Sequence, residues 1–293
     1  MSNAKNNPKS WVAIDYGLSN TDVVMRHTGP GAASEDRCLV VPRPPNVSIM
    51  QIEAILSQVG LSMQQVAGVA VTGGQHRLLP DRVEAIDILK VPEVQAVGLG
   101  GLYLSKLPEA LVVSAGSGTA VMAARMRGKR VQHVTGTAVG GGTLQGLGRL
   151  LLNTADPIAI DALARAGDPN HVDLTLIEAT GVLADGQIGK LPADANAVNF
   201  GKLARWPEHV ALPTREDIAA GLVRLVGQVI AVIAINAARA EKLEQIVVVG
   251  HLVDLPSVRA VLQTVAGYYG ANITVPDRPG FGTAQGAMLM LRD

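Results

Sequence analysis

The chain has 293 residues, of which 48% are hydrophobic and 3% aromatic, and its 25 basic residues balance its 25 acidic residues. This length and hydrophobic share predict a large core, in one large domain or, as we favour, in two domains that share a cleft. Zero net charge and few aromatic side chains argue against a nucleic-acid partner, which needs a basic surface or rings on which bases can stack.

Cellular location is indicated by the cysteine count and by the apolar segments. The single cysteine, Cys38, excludes an internal disulfide and suits the reducing cytoplasm. The N-terminal stretch MSNAKNNPKS is polar, so we expect no signal peptide. No apolar stretch reaches the roughly 18 residues that span a bilayer, and LVGQVIAVIAINAARA is predicted to form a buried helix. We expect a cytoplasmic protein without a membrane partner.

The first third of the chain predicts strands, a helix and glycine turns. The segment WVAIDYGLSNTDVVMR predicts a hairpin that turns at Gly17, with Asp15 at its mouth. SIMQIEAILSQVG has helical spacing and ends in Gly60, and VAGVAVTGG predicts a buried strand before a glycine turn.

A helix and a domain boundary follow. VPEVQAVGLGGLYLSKL predicts a helix after Pro92 with Glu93 in its first turn, where an acidic residue is favoured by the helix dipole alone. The strand EALVVSAGSG comes next, and we place the boundary near Pro108. The predicted domains are therefore residues 10–108 and 109–293.

The second half repeats the order of strand, glycine loop and strand, with a turn at Gly128, which suggests two related halves. A short helix over 157–166 and an irregular insert come next. Thr214, three residues before Asp217, predicts the capped start of a long apolar helix. Two strand–helix pairs complete an alternating α/β pattern.

Three glycine-containing sites are candidates for ligand contact. Gly116 and Gly118 lie between two strands, which suits either close approach to phosphate or a plain tight turn. Residues 140–142 are glycines directly before a helix, where free N–H groups and the helix dipole favour an anion. Gly250 ends a strand before a helix, which is equally typical of the edge of a ligand site and of a turn that packing requires. The histidines show no metal-ligand spacing.

Taken together, these motifs resemble the type II pantothenate kinases of the acetate and sugar kinase, Hsp70 and actin superfamily. The resemblance extends from about Trp11 to the C-terminus, and its most specific part is the joint occurrence of GGGTLQGLGRLL and ADANAVNFG. It implies an α/β fold of two actin-like (ribonuclease H-like) domains with an ATP cleft between them. It also implies ATP- and Mg²⁺-dependent phosphorylation of pantothenate, the first step of coenzyme A biosynthesis, by a homodimer.

The resemblance assigns roles to individual residues. Asp15 matches the magnesium-associated aspartate and Glu93 the general base. Three further matches are segments that contact the nucleotide phosphates: the first phosphate loop with Gly17 and Ser19, the second phosphate loop with Gly116, Ser117, Gly118 and Thr119, and the phosphate cradle with Gly140, Gly141, Gly142 and Thr143. Gly250 matches the edge of the adenosine site (the adenosine lip), and Gly282 matches the helix that closes the nucleotide site. His133 and Gly136 match the part of the site that binds pantothenate (the pantothenate end).

The chain departs from the family pattern at four positions: Leu18 replaces a glycine, Asp22 a lysine, His133 an arginine and Gln95 an acidic residue. An acidic side chain near phosphates is repulsive where a lysine would attract, and a histidine lacks the bidentate fork of arginine. Two alternatives therefore stay open beside pantothenate kinase. One is a kinase of another small hydroxylated metabolite, and the other is a ligand-sensing pseudokinase without turnover.

Overall fold

The computed structural model describes residues 9–27, 36–43, 47–84, 86–181, 187–188, 191–207 and 211–291. The strands are β1 (Ser10–Tyr16), β2 (Asn20–His27), β3 (Arg37–Pro42), β4 (Val66–Gly73), β5 (Arg82–Val83), β6 (Ile86–Lys90), β7 (Ala110–Ala115), β8 (Thr119–Arg125), β9 (Arg130–Thr137), β10 (Leu174–Thr175), β11 (Gln187–Ile188), β12 (Leu191–Pro192), β13 (Asn196–Val198), β14 (Gln245–Val249) and β15 (Asn272–Thr274). The helices are α1 (Ile49–Gln58), α2 (Glu93–Ser105), α3 (Gly141–Leu152), α4 (Pro157–Ala166), α5 (Leu176–Thr180), α6 (Arg215–Glu241), α7 (Pro256–Tyr269) and α8 (Gly282–Met288). Residues 1–8, where no signal peptide is expected, lie outside the described residues.

Backbone contacts divide the chain into two compact units. Unit 1 comprises Met1–Val112, Met122–His133 and Pro276–Asp293, and unit 2 comprises Val113–Val121 and Val134–Val275. The C-terminal segment therefore groups with the N-terminal half, which differs from the ranges 10–108 and 109–293 expected from the sequence. Those domain ranges remain a prediction.

Unit 1 is built on a six-stranded sheet with the strand order β3-β2-β1-β4-β6-β5. The predicted hairpin is confirmed, because β1 and β2 are antiparallel neighbours. β4 lies parallel to β1 on its other side, and β6 lies parallel to β4. The strand predicted over VAGVAVTGG and the helix predicted after Pro92 are confirmed as β4 and α2.

The two faces of this sheet carry side chains of different size, because successive residues of a strand point to opposite faces. On one face the large aliphatic residues Val12 and Ile14 share a core cluster with Ile52 and Leu56 of α1. On the other face the small residues Ala13 and Ala70 pack with Ala96 of α2 and with Ala284 and Ala287 of α8. Small side chains on the second face let the two helices lie close to the sheet.

Unit 2 holds β14, β15 and the ends of β7, β8 and β9 that adjoin the glycine loops. These strands belong to a sheet with the order β15-β14-β7-β8-β9. The long helix α6 packs against α3, α4 and α7. Its predicted cap is confirmed, since the Thr214 hydroxyl accepts a hydrogen bond from the Asp217 N–H at 3.2 Å.

Within the described part of the chain, α6 is the helix long and apolar enough to cross a membrane. The expectation that no segment reaches that length is therefore too strict, because a few charged residues interrupt but do not end the apolar pattern. Inside unit 2, 61% of the most apolar window of α6 is buried. Packing within the unit accounts for this apolar character, as the sequence predicts for a buried helix.

Candidate nucleotide and catalytic site

The first predicted phosphate loop is the turn between β1 and β2. A Cβ atom at Gly17 would lie 2.7 Å from the Asn20 carbonyl oxygen, so the turn requires glycine at this position. Leu18, which replaces a family glycine, has 66% of its surface exposed at the tip of the turn, and Ser19 is also exposed. The turn thus keeps its tight geometry and places the substituted leucine in solvent.

Asp15 and Asp22 are directly opposite each other on β1 and β2. Directly opposite residues share a face of the sheet, so the aspartate at the family's lysine position faces the predicted magnesium ligand. Asp22 is 5% exposed, whereas Asp15 is half-buried. No cluster of three or more histidine, cysteine or acidic side chains that could hold a metal occurs among the residues that the structure describes.

Glu93 is the first residue of α2 and is exposed, directly after Pro92. Its side chain is therefore accessible to solvent, and its role as general base stays a prediction. Two residues on, Gln95 donates a hydrogen bond from Nε2 to the Gly128 carbonyl oxygen at 2.9 Å. The glutamine at the family's acidic position therefore holds the turn after β8, which a carboxylate could not do because it cannot donate to a carbonyl.

The two glycine loops of unit 2 pack directly on each other. The N–H of Gly141 donates to the Gly116 carbonyl at 2.8 Å, and the N–H of Gly142 donates to the Ser117 carbonyl at 2.9 Å. Within the first loop, the Gly116 N–H donates to the Gly118 carbonyl at 3.0 Å. Thr119 ties the end of that loop to the second loop, since its hydroxyl donates to the Val139 carbonyl at 2.8 Å.

This packing corrects one expectation. The sequence predicts free N–H groups at residues 140–142, but Gly141 and Gly142 donate to the first loop, and the Gly140 N–H lies 3.3 Å from the Thr143 hydroxyl. Thr143 in turn donates to the Ala138 carbonyl at 3.1 Å. The backbone donors at the start of α3 are thus used to join the loops, and the role of these residues in holding phosphate stays a prediction.

Gly250 brings a third segment to the same hairpin. It has φ = 103°, which favours glycine, and a Cβ atom there would overlap the Ala115 carbonyl at the end of β7. Gly136 on β9 also packs closely on this hairpin, because its Cβ would lie 2.7 Å from the Thr119 carbonyl oxygen. The structure therefore brings these predicted glycine sites together around residues 115–119.

His133 and Gly282 have different surroundings. His133 is exposed on β9. Gly282 begins α8 and is buried. Its carbonyl oxygen lies so close to Gly100 of α2 that a Cβ atom on Gly100 would overlap it. Gly286 makes the reciprocal contact, since its Cβ would overlap the Ala96 carbonyl. In unit 1 the glycines of the predicted closing helix thus serve the close packing of α8 on α2.

Sequence reasoning missed two polar clusters in unit 2. The Asn196 amide donates to Asn199 and, at 2.9 Å, to the Gln228 side chain on α6. After Gly250, the His251 ring nitrogen Nδ1 lies 2.7 Å from Asp254 Oδ2. A spacing of three residues in GHLVD signals the second pair, whereas the first joins residues about thirty positions apart.

Solved structures of similar fold define the class of protein. The activator of the 2-hydroxyisocaproyl-CoA dehydratase from Clostridium difficile, solved with bound ADPNP, has a TM-score of 0.62 and 15% identity, and the match covers 96% of this chain and 93% of that one. Component A of the (R)-2-hydroxyglutaryl-CoA dehydratase from Acidaminococcus fermentans has a TM-score of 0.60 and 16% identity, with 96% of each chain covered. These neighbours have the actin-like ATPase fold. The predicted actin-like α/β class is therefore confirmed.

Sequence relatives define the family within that class. The Fumble family model matches residues 105–275. The type II pantothenate kinase of Oceanobacillus iheyensis is 30% identical over 195 residues, which is 64% of this chain and 68% of that protein. The enzyme of the same name from Staphylococcus haemolyticus is 27% identical over 235 residues, covering 78% and 85%. The chain belongs to the Fumble family, that of the type II pantothenate kinases.

Proposed function

We propose that this protein transfers the terminal phosphoryl group of ATP to the terminal hydroxyl of pantothenate, the first step of coenzyme A biosynthesis. The observation that carries the proposal is that residues 105–275, which match the Fumble family, contain both glycine loops, packed together around one hairpin. Sequence relatives of the chain are named type II pantothenate kinases. Nothing in the comparisons favours another substrate.

Phosphoryl transfer asks mainly for positioning and charge neutralisation. In the proposed mechanism the exposed Glu93 carboxylate accepts the proton of the attacking hydroxyl. The loop of Gly116, Ser117 and Gly118 approaches the nucleotide phosphates through its backbone, and Gly250 forms the adenosine lip. His133 contributes one ring hydrogen bond at the pantothenate end, where the family uses an arginine.

The residues around Asp15 fit a magnesium ion. Mg²⁺ prefers oxygen ligands and is commonly bound by one or two carboxylates together with substrate phosphates. Beside Asp15, the Thr72 hydroxyl on β4 is a buried oxygen without a hydrogen-bond partner among the described residues. Bound here with ATP, Mg²⁺ would neutralise charge on the transferred phosphoryl group. Asp15 holds the ion in this proposal, while Glu93 handles the proton.

Release of ADP that depends on pantothenate tests the proposal. Purified protein with Mg²⁺, ATP and pantothenate is expected to form ADP and phosphopantothenate in equal amounts, measured by a coupled assay and by mass spectrometry. A parallel incubation without pantothenate corrects for background ATP hydrolysis. No pantothenate-dependent ADP at micromolar enzyme would contradict the proposal, as would faster turnover of another hydroxylated metabolite.

We further propose that the protein is a cytoplasmic homodimer. Its single cysteine is consistent with a reducing compartment. The long helix α6 keeps the apolar Val232 37% exposed on unit 2, and a second subunit could cover that face. Light scattering at micromolar concentration is expected to give twice the monomer mass. A monomer mass would contradict the dimer without affecting the proposed reaction.

A further inference from the structure

We infer that Asp22, together with Asp15 and Thr72, forms a divalent-cation site that holds its ion in the absence of nucleotide. The inference rests on the proposed function only in taking Asp15 as the magnesium position. The family resemblance assigns a lysine to position 22, and a lysine ammonium group cannot coordinate a cation as a carboxylate can. In this chain a second carboxylate stands in place of that lysine.

The register of three neighbouring strands places the three side chains together. Asp15 on β1 is directly opposite Asp22 on β2 and directly opposite Thr72 on β4. Residues opposite each other across antiparallel strands have Cβ atoms about 4.5–5.5 Å apart and point to the same face. The central aspartate therefore has an oxygen-bearing side chain on each side.

The packing of the sheet confirms this shared face independently. On each strand, the residue two positions from Asp15, Asp22 or Thr72 belongs to the core cluster that packs under α2 and α8. These residues are Ala13, Val24 and Ala70, respectively. Because side chains alternate with a period of two, Asp15, Asp22 and Thr72 lie on that same face.

Thr72 provides the observation that points to a ligand. Its side chain is fully buried, at 0% exposure, and its hydroxyl has no hydrogen-bond partner among the residues that the structure describes. Burying a hydroxyl without a partner is costly, so such an atom needs an explanation. The Asp15 carboxylate leans toward the same strand, since a Cβ atom at Gly73 would overlap its Oδ1. A cation between these oxygens would satisfy the hydroxyl.

The chemistry of the site favours a hard divalent ion. Two carboxylates directly opposite on neighbouring strands repel each other, and a bound cation turns this repulsion into attraction. The donors are oxygens alone, which suit Mg²⁺, Mn²⁺ or Ca²⁺ rather than zinc or copper. Metal–oxygen distances of about 2.1 Å let carboxylates on neighbouring strands reach one ion.

Mn²⁺ titration of nucleotide-free protein, followed by the electron paramagnetic resonance signal of the free ion, tests this inference. The wild-type chain, dialysed against a chelator, is expected to bind one equivalent. Asp22→Asn removes one charge at constant shape and is expected to weaken binding at least about tenfold. Thr72→Val removes only the hydroxyl and is expected to weaken binding by about threefold.

Glu53→Gln is the matched control, because it removes an exposed carboxylate of α1 on the other face of the same sheet. Its Mn²⁺ affinity is expected to stay within about twofold of wild type, since a distant exposed charge is screened. If Asp22→Asn does not fold, Thr72→Val and the wild-type stoichiometry still decide the question.

Two outcomes would overturn the inference. One is a wild-type chain that binds no Mn²⁺ without nucleotide. The other is an equal loss of affinity in Asp22→Asn and Glu53→Gln. Neither outcome depends on turnover, because neither ATP nor pantothenate is present. Failure of the cation site is therefore distinguishable from failure of the proposed kinase activity.

Discussion

Gly140 and the carbonyl oxygen of Ser117 approach so closely that a Cβ atom on Gly140 would lie 2.7 Å from that oxygen. The Gly118 Cα and the Gly116 carbonyl oxygen would lie at 2.8 and 2.9 Å. All three neighbours are backbone atoms, so none can turn aside as a side chain could. The glycines before α3 are therefore required first for the contact between the two loops.

We expect Gly140→Ala to lower the free energy of unfolding by about 1–3 kcal/mol, because the added methyl group overpacks a contact between backbones. Urea denaturation followed by circular dichroism measures the loss. The control is Gly146→Ala on the same helix, where nothing lies within 4 Å of the added atom. That change should stabilise the helix by about 0.5–1 kcal/mol, and equal effects of the two substitutions would disprove the loop contact.

Replacing Glu93 by glutamine tests its proposed role as general base. Loss of a general base typically lowers kcat by about 100- to 10,000-fold, and the exposed position of Glu93 predicts little change in stability. Pantothenate-dependent ADP release and a thermal melt measure the two effects. Glu109→Gln, an exposed carboxylate just beyond the other end of α2, is the control and should keep full activity. Unchanged kcat in Glu93→Gln would remove the residue from the mechanism.

The helices α2 and α8 cross in unit 1 at glycines. We expect Gly286→Ala to cost about 3 kcal/mol or more, because its Cβ would overlap the Ala96 carbonyl and lie 2.7 Å from the Gly100 nitrogen. Gly267→Ala near the end of α7 has no atom within 4 Å and serves as the control. Guanidinium unfolding of both variants is the measurement. A Gly286→Ala variant as stable as the control would show that the helices can separate at little cost.

Asp217 predicts a pH-dependent contribution to stability. Burial alone would raise its pKa, but hydrogen bonds from the Asp168 N–H at 2.9 Å and from Thr214, with His171 3.1 Å away, lower the pKa overall. A carboxyl group with a lowered pKa stabilises the fold above its unfolded pKa, about 3.9, and this stabilisation is lost as the pH falls through the folded pKa.

Asp217→Asn should therefore destabilise the protein by about 1–2 kcal/mol at neutral pH, because it removes the charge that strengthens the hydrogen bonds accepted from the Asp168 and Thr214 N–H groups. Urea midpoints of wild type and variant are expected to converge as the pH falls below about 3.9. Glu244→Gln, an exposed carboxylate in the same unit, controls for net charge. A difference between wild type and Asp217→Asn that stays constant with pH would assign the effect to packing alone.

Elements defined by neighbouring residues could be predicted from the sequence. The β1–β2 hairpin follows from apolar runs around a turn-forming segment, and the start of α6 follows from Thr214 and Asp217 three residues apart. The start of α2 follows from Pro92 and Glu93. In each case the deciding interaction lies within a few residues, so the local pattern contains it.

Contacts between distant segments could not be predicted in this way. The two glycine loops were expected to offer free N–H groups, yet Gly141 and Gly142 donate to carbonyls about 25 residues earlier in the chain. Gly282 and Gly286 of α8 pack on α2, some 180 residues earlier in the chain, and the place of Gly282 at a nucleotide stays a prediction. A glycine-rich motif shows that something approaches the backbone closely, without showing whether that is a ligand or another segment.

Periodicity and capping residues in the sequence by itself predicted the alternating order of strands and helices, and the resemblance of its motifs to the type II pantothenate kinases implied the actin-like class and the family. Only the tertiary structure decided what each glycine contacts and what surrounds Asp15. The hairpin alone accounts for Asp22 opposite Asp15, but Thr72 reaches the other side through the parallel pairing of β4 with β1. Parallel pairing joins segments more than fifty residues apart, and the free energy of packing the whole sheet, rather than any local preference, sets its register.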